Sequence, residues 1–122
     1  NRLQMIHEFG VRQGRISLNR MVELLATSPA KLFGLYPRKG AIAVGSDADL
    51  AILDTTADFA VTSAHLREAD YTPWDGYRVK AWATTTILRG QVIVEERELQ
   101  RGPGGQLQTQ KVASDVLNRP AC

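Results

Sequence analysis

The spacing of apolar residues changes at Gly40, and this change constrains the fold more than any other feature of the sequence. Before Gly40, apolar residues recur every three or four positions, as on one buried face of a helix. After Gly40, the chain runs in short apolar segments rich in β-branched residues, bounded by glycines and polar turns, which is typical of strands. Helices followed by strands favour an α+β fold, or the meeting of two different domains.

Three helices are predicted in the first part of the chain. The first should run over residues 1–9 and stop at Gly10, because glycine readily adopts the positive φ of a helix C-terminus. Ser17 is a good N-cap for the second helix, and Ser28 for a short third helix that ends at Gly34. The buried face of the second helix is expected to consist of Leu18, Met21, Val22 and Leu25.

The second part of the chain is predicted to form strands. A hairpin is expected at Arg89-Gly90, between the last two of them. The predicted strands cover residues 41–44, 49–54, 59–62, 79–88 and 91–95. Residues 102–122 begin with glycines and continue as polar sequence, so we expect a tail that is mobile unless a partner holds it.

The composition is that of an ordinary soluble globular protein, with 43% apolar and 23% charged residues. No apolar run approaches the roughly 18 residues of a membrane helix. The single cysteine, Cys122, excludes an internal disulfide and a cysteine-based zinc cluster, and it indicates a reducing compartment such as the cytoplasm. Nucleic acid binding needs a concentrated basic face. The nearest group, Arg12, Arg15 and Arg20, is better interpreted as a solvated helix face.

Few residues could ligate a metal. His7 and His65 are the only histidines, and they lie far apart in sequence. Asp-x-Asp at Asp47 and Asp49, with Asp54 nearby, could hold a hard cation, but further oxygen ligands at EF-hand spacing are lacking. The favoured interpretation is a turn in which Asp47 bonds its own backbone, followed by a strand.

Other reactive side chains also form no complete catalytic constellation. No serine lies in a Gly-x-Ser-x-Gly motif, and lysines could act only if burial lowered their pKa. Residues 102–105 lack the lysine of a phosphate-binding loop, and clustered aromatic residues are better explained by packing than by ligand stacking. The side chains considered are Ser17, Ser28, Ser46, Ser63, Lys31, Lys39, Lys80, Lys111, Tyr71, Trp74, Tyr77, Trp82 and Cys122. Lys39, beside Arg38 and Gly40, is expected to be exposed.

Two stretches together resemble the C-terminal signature of the amidohydrolase superfamily. They are Ser-Pro-Ala-Lys-Leu-Phe-Gly-Leu at residues 28–35 and Lys-Gly-Ala-Ile-Ala-Val-Gly-Ser-Asp-Ala-Asp-Leu at residues 39–50. Residues 15–20, 35–40 and 70–77 look like hydantoinases and dihydropyrimidinases, and residues 86–94 fit these enzymes and allantoinases alike. The resemblance extends over about residues 1–107, and residues 108–122 remain unmatched.

This resemblance implies a fragment of α+β character. Residues 1–39 would be the last helices of a (β/α)8 barrel, residues 40–101 the C-terminal part of a small β-sandwich, and residues 102–122 a tail. The parent would be a metal-dependent hydrolase that opens cyclic amides such as hydantoins or dihydropyrimidines with two zinc ions. The family's metal ligands would all precede Asn1, so the resemblance implies no catalytic, cofactor-binding or metal residue in this chain.

Partners and alternatives follow from the same resemblance. The missing N-terminal part of the protein is the expected partner, together with further copies in a homo-oligomer, which is a tetramer in the family; no nucleic acid or membrane partner is expected. Two alternatives stay open: a non-catalytic scaffold like the dihydropyrimidinase-related proteins, or a small independent binding module.

Overall fold

A computed structural model describes residues 2–65, 69–102 and 104–110 of the chain. Helical segments come first and antiparallel strands follow, so the predicted α+β class is confirmed. Within the described ranges, no helix is both long and apolar enough to cross a membrane.

The first helical segment is longer than the sequence predicted. Helix α1 (Arg2–Ile6) continues as a π-helical turn, His7–Arg12, and the chain turns away at Gly14, whose φ is 70°. The predicted stop at Gly10 is therefore wrong. Gly10 instead allows the side chain of Ile16 to pack closely against the helix, because a Cβ at Gly10 would lie 3.0 Å from Ile16 Cδ1.

The second and third predicted helices form one continuous segment. Helix α2 (Leu18–Val22) passes through a π-helical stretch, Glu23–Thr27, into helix α3 (Ser28–Leu32). The predicted cap at Ser28 is wrong, because this residue has helical φ and ψ of −64° and −45° and the helix runs through it. The predicted end at Gly34 is confirmed by its φ of 65°.

The N-cap predicted at Ser17 is confirmed, since its hydroxyl oxygen accepts a hydrogen bond from the backbone N–H of Arg20 at 3.1 Å. Replacing Ser17 with alanine removes this acceptor from the start of the helix. We expect the free energy of unfolding to fall by about 1 kcal/mol. Urea unfolding followed by circular dichroism would measure this, with Ser17→Asp as the control that keeps a capping oxygen and should retain the stability.

The predicted buried face of the second helix is only partly correct. Met21 is buried at 2% exposure, whereas the side chains of Leu18 and Val22 are 51% and 54% exposed. Helical periodicity shows which residues share a face, but burial also requires another element to cover that face. The described residues place no such cover over Leu18 and Val22.

The strands form two antiparallel sheets. The larger has four strands in the order β1-β4-β5-β6, and the smaller pairs β2 with β3. The strands are β1 (Leu50–Asp54), β2 (Phe59–Ala60), β3 (Arg78–Val79), β4 (Trp82–Leu88), β5 (Gln91–Glu95) and β6 (Glu98–Leu99). Strand β6 was not predicted.

Three strand predictions need correction. The segment 79–88 is divided between two sheets, with Val79 in β3 and residues from Trp82 in β4. The segment 59–62 contributes only the two residues of β2. Residues 41–44 are not a strand, and Ile42 is 90% exposed. A strand is defined by backbone pairing, and the apolar pattern of residues 41–44 does not supply a paired neighbour.

The hairpin between β4 and β5 is confirmed. Arg89 and Gly90 have φ of 48° and 77°, so both central turn residues lie in the left-handed region that matches the twist of a two-residue hairpin. This turn determines the register Leu88↔Gln91. The same turn approaches the segment before β1, where the N–H of Gly90 donates to the carbonyl oxygen of Ala48 at 3.0 Å.

The apolar core lies between the first helical segment and the smaller sheet. Met5, Val61 and Val79 are buried together, and Phe9 and Phe59 pack against them. Val61 and Val79 are both fully buried. The smaller sheet is thus held against α1, and this contact positions the loop between β2 and β3.

Candidate functional site

Opposite charges meet where the helices pass into the larger sheet. Lys39 Nζ lies 2.8 Å from a carboxylate oxygen of Asp47 and also donates to Asp49. We call Lys39, Asp47 and Asp49 the junction cluster. The Lys39 side chain is only 19% exposed, so the prediction that it is exposed is wrong. Arg38 adds a further ion pair to Asp47 at 3.1 Å.

Asp49 joins three segments of the chain. One carboxylate oxygen accepts from Lys39, and the other accepts from the backbone N–H of Arg89 at 2.7 Å. Lys39 belongs to the segment after α3, and Arg89 to the β4–β5 turn. The carboxylate therefore ties the helical part to the sheet at the entry to β1.

The pKa values in the junction cluster move in the directions that keep its charges. Hydrogen bonds to Asp47 and then Asp49 raise the pKa of Lys39 above its ordinary value. The bond from Lys39 lowers the pKa of Asp47. Burial is the largest single effect on Asp49 and opposes its ionisation, but the bonds from Lys39 and the Arg89 N–H outweigh it, so its pKa is also lowered.

This electrostatic arrangement suits a structural clamp. Lys39 stays protonated and cannot act as a nucleophile or base near neutral pH. Asp47 and Asp49 direct their oxygens to the ammonium group of Lys39. The expectation that Asp47 bonds its own backbone is corrected, because its carboxylate binds Lys39 and Arg38 instead.

Asp54 and the serines are used locally. Asp54 accepts from the hydroxyl and the backbone N–H of Thr56, both at 2.7 Å, and these bonds lower its pKa. Ser46 donates to the carbonyl oxygen of Pro37 at 2.8 Å. Ser63 begins a short 3₁₀ turn, Ser63–His65. In the described part of the chain, none of these oxygens is hydrogen-bonded to a histidine base.

His65 lies within an aromatic cluster. Its ring centroid is 5.0 Å from that of Phe59 and 5.5 Å from that of Trp82. Its Nδ1 accepts from the backbone N–H of Thr62 at 3.0 Å, which places the proton of the neutral ring on Nε2. The guanidinium of Arg97 lies over the Trp82 ring at 5.0 Å.

His7 is the other histidine, and it does not approach this cluster through any described contact. Its side chain is buried in the first helical segment at 6% exposure, and within the described residues its Nδ1 has no hydrogen-bond partner. Across the described ranges, no three His, Cys, Asp or Glu side chains are grouped to hold a metal ion. The prediction that this chain contributes no metal ligand stays a prediction.

An apolar groove of about 720 Å³ lies between α1 and the loop before β3. Phe9 and Trp74 line the groove, and Tyr77 packs against both, with the three ring centroids 5.7 to 6.4 Å apart. The four aromatic residues considered above are therefore divided, because Tyr71 and Trp74 line the groove and Tyr77 packs against Trp74, whereas Trp82 belongs to the His65 cluster. Arg2 and Arg15 also line the groove.

The remaining candidate cations take part in local contacts. Arg12 and Arg20 pair with Glu8 and Glu23 on their own helical segments. Lys31 lies over the ring of Tyr36 at 5.1 Å, and Lys80 Nζ is 3.8 Å from Asp58. Arg89 donates to the carbonyl oxygen of Gly104, in the segment considered as a phosphate loop. Lys111, Cys122 and the predicted tail beyond residue 110 lie outside the described residues.

The model of the amidohydrolase family matches residues 5–94, which is most of the chain and spans α2, α3, the junction cluster and strands β1 to β4. The chain belongs to the amidohydrolase family. The resemblance inferred from residues 28–35 and 39–50 is confirmed.

Two of the relatives that this chain matches are hydantoinases. A D-hydantoinase of Ralstonia pickettii is 49% identical over 96 residues, which covers 78% of this chain and 21% of the relative. An L-hydantoinase of Paenarthrobacter aurescens is 46% identical over 98 residues, covering 80% and 21%. The chain spans about a fifth of the length of these relatives.

Among solved structures, this amidohydrolase is similar to the dihydropyrimidinase of Brevibacillus agri, with a TM-score of 0.78 and 36% identity over 80% of this chain and 22% of the other. The α+β arrangement is thus shared with enzymes of this group. Their family implies a metal centre, and the described residues of this chain do not fit one, because the acids of the junction cluster are neutralised by Lys39.

The junction cluster is the feature that sequence reasoning missed. Asp47 and Asp49 were considered as cation ligands or, preferably, as a turn followed by a strand, and Lys39 as a catalytic lysine if buried or, preferably, as an exposed side chain. Its signal was a lysine eight and ten positions before two acids, on opposite sides of a glycine-bounded apolar segment. Such a spacing indicates a pair only if the intervening loop closes, which the bond from the N–H of Asp47 to the carbonyl oxygen of Arg38 at 2.9 Å achieves.

Proposed function

We propose that this chain is the C-terminal part of a metal-dependent hydrolase that opens the carbon–nitrogen bond of cyclic amides such as hydantoins and dihydropyrimidines. The observation that carries the proposal is the 49% identity to a D-hydantoinase over 96 residues. The role of the chain within that enzyme is structural: it supports the barrel and sandwich, and the two zinc ions are held by residues elsewhere in the protein.

The use of its polar side chains supports this role. The acids and the lysine of the junction cluster neutralise each other, and His65 uses Nδ1 to accept a backbone N–H. These groups stabilise local structure, so they are poorly suited to activate water or polarise an amide carbonyl. D- and L-hydantoinases both match the chain at similar identity, and the stereochemical preference therefore belongs to other parts of the enzyme.

The apolar surface supports a partner in the same protein. Exposed apolar side chains occur on α2 and α3 and on the segment 41–44, and an open groove lies beside α1. Such surface is costly in water and is typical of an interface. We propose that the N-terminal part of the enzyme covers it, that residues 41–44 pair with strands of that part, and that the protein assembles as a cytoplasmic homo-oligomer.

The proposal is tested with the reading frame that contains this segment. The longest protein encoded there should carry a His-x-His pair before Asn1, bind about two zinc ions per chain and release N-carbamoyl products from hydantoin or dihydrouracil. The matched control is the same protein with the proposed metal-ligating histidines replaced by alanine, which should lose activity. A frame without His-x-His, giving a folded oligomer without activity, would support a scaffold instead and contradict the proposed chemistry.

The isolated chain of 122 residues should open no hydantoin ring and hold no zinc at stoichiometric level. The reason is that, among residues 2–65, 69–102 and 104–110, no three acidic or histidine side chains converge to hold a metal ion. Metal analysis after gel filtration, with the longer protein as the positive control, measures this directly. One or two tightly held ions per isolated chain, as in a zinc hydrolase, would show the prediction to be wrong.

The behaviour of the isolated chain in solution also distinguishes a fragment of a larger protein from an independently folded module. Amide NMR should show broad signals or aggregation, because apolar side chains of α2, α3 and the segment 41–44 face solvent. Sharp, dispersed signals from a monomer would contradict the proposed structural role and favour a small binding module.

A further inference from the structure

We draw no further inference here: the strongest candidate, the apolar groove between α1 and the Tyr71–Trp74 loop with Arg2 and Arg15 among its lining residues, is an unpartnered face, and nothing in the structure shows what covers it.

Discussion

Replacing Gly40 with alanine is expected to lower the free energy of unfolding by about 3 kcal/mol, through backbone strain and overpacking together. Gly40 has a φ of 78°, in the left-handed region that disfavours a side chain. A Cβ at this position would lie 2.5 Å from the Cβ of Ala30 and 2.9 Å from the carbonyl oxygen of Ala26. The helix and the loop would have to separate to accommodate it.

The same separation would also break a hydrogen bond, in which the hydroxyl of Thr27 donates to the carbonyl oxygen of Gly40 at 2.8 Å. Urea unfolding of the longer protein that contains this chain, followed by tryptophan fluorescence, provides the measurement for this and the following variants. Gly14→Ala is the matched control, since Gly14 has a similar φ of 70° but nothing within 4 Å of the added Cβ. It should cost only the conformational strain, about 1 kcal/mol. Equal losses in the two variants would refute close packing at Gly40.

Replacing Asp49 with alanine is expected to cost about 2 kcal/mol, because a charge-assisted hydrogen bond and the acceptor for a backbone N–H are lost together. The carboxylate is 27% exposed and bonds both Lys39 and the N–H of Arg89. Its removal leaves the ammonium with Asp47 alone and weakens the contact between the β4–β5 turn and the segment before β1, which keeps the bond from the N–H of Gly90 to the carbonyl oxygen of Ala48. Urea unfolding near neutral pH measures the loss.

The matched control is Glu23→Ala, which breaks an ion pair with Arg20 at 2.7 Å between side chains that are 52% and 51% exposed. Such a solvated pair is worth about 0.5 kcal/mol or less. If both substitutions cost the same, the junction cluster has no special role in stability.

The contribution of Asp49 should also depend on pH. Its folded-state pKa lies below the ordinary value, so its stabilisation is complete above the unfolded pKa of about 3.9 and is lost as pH falls through the folded pKa. The raised pKa of Lys39 acts oppositely: its contribution is complete below about 10.4 and is lost as pH rises through the folded value. The difference between wild type and Asp49→Ala should therefore shrink below about pH 4. A difference that persists unchanged in acid would contradict this account.

Local signals correctly predicted one helix start, one helix end and the hairpin. Ser17 caps its helix, Gly34 ends one, and Arg89-Gly90 forms a turn, because each depends on the conformational preferences of a few neighbouring residues. The prediction at Gly10 was wrong because it, too, relied on local preference alone. A glycine that ends a helix and a glycine that admits Ile16 are indistinguishable until the packing partner is known.

Pairing between segments distant in sequence was harder to predict from the sequence. The apolar segment 41–44 has the composition of a strand but pairs with no strand among the described residues, and segment 79–88 is shared between two sheets. The junction cluster, too, depends on a loop that closes between residues distant in sequence. In each case the deciding interaction lies between residues whose separation the local pattern does not specify.

The sequence by itself determined the order of helices and strands, the main turn and the family, because apolar spacing, glycine positions and a match over residues 5–94 are all properties of the linear chain. Only the tertiary structure decided that Lys39 is held by Asp47 and Asp49, that Gly40 is packed against Ala30, and that Leu18 and Val22 face outward. The physical reason is that ion pairing, close packing and burial are interactions between segments. They form only when the fold brings those segments together.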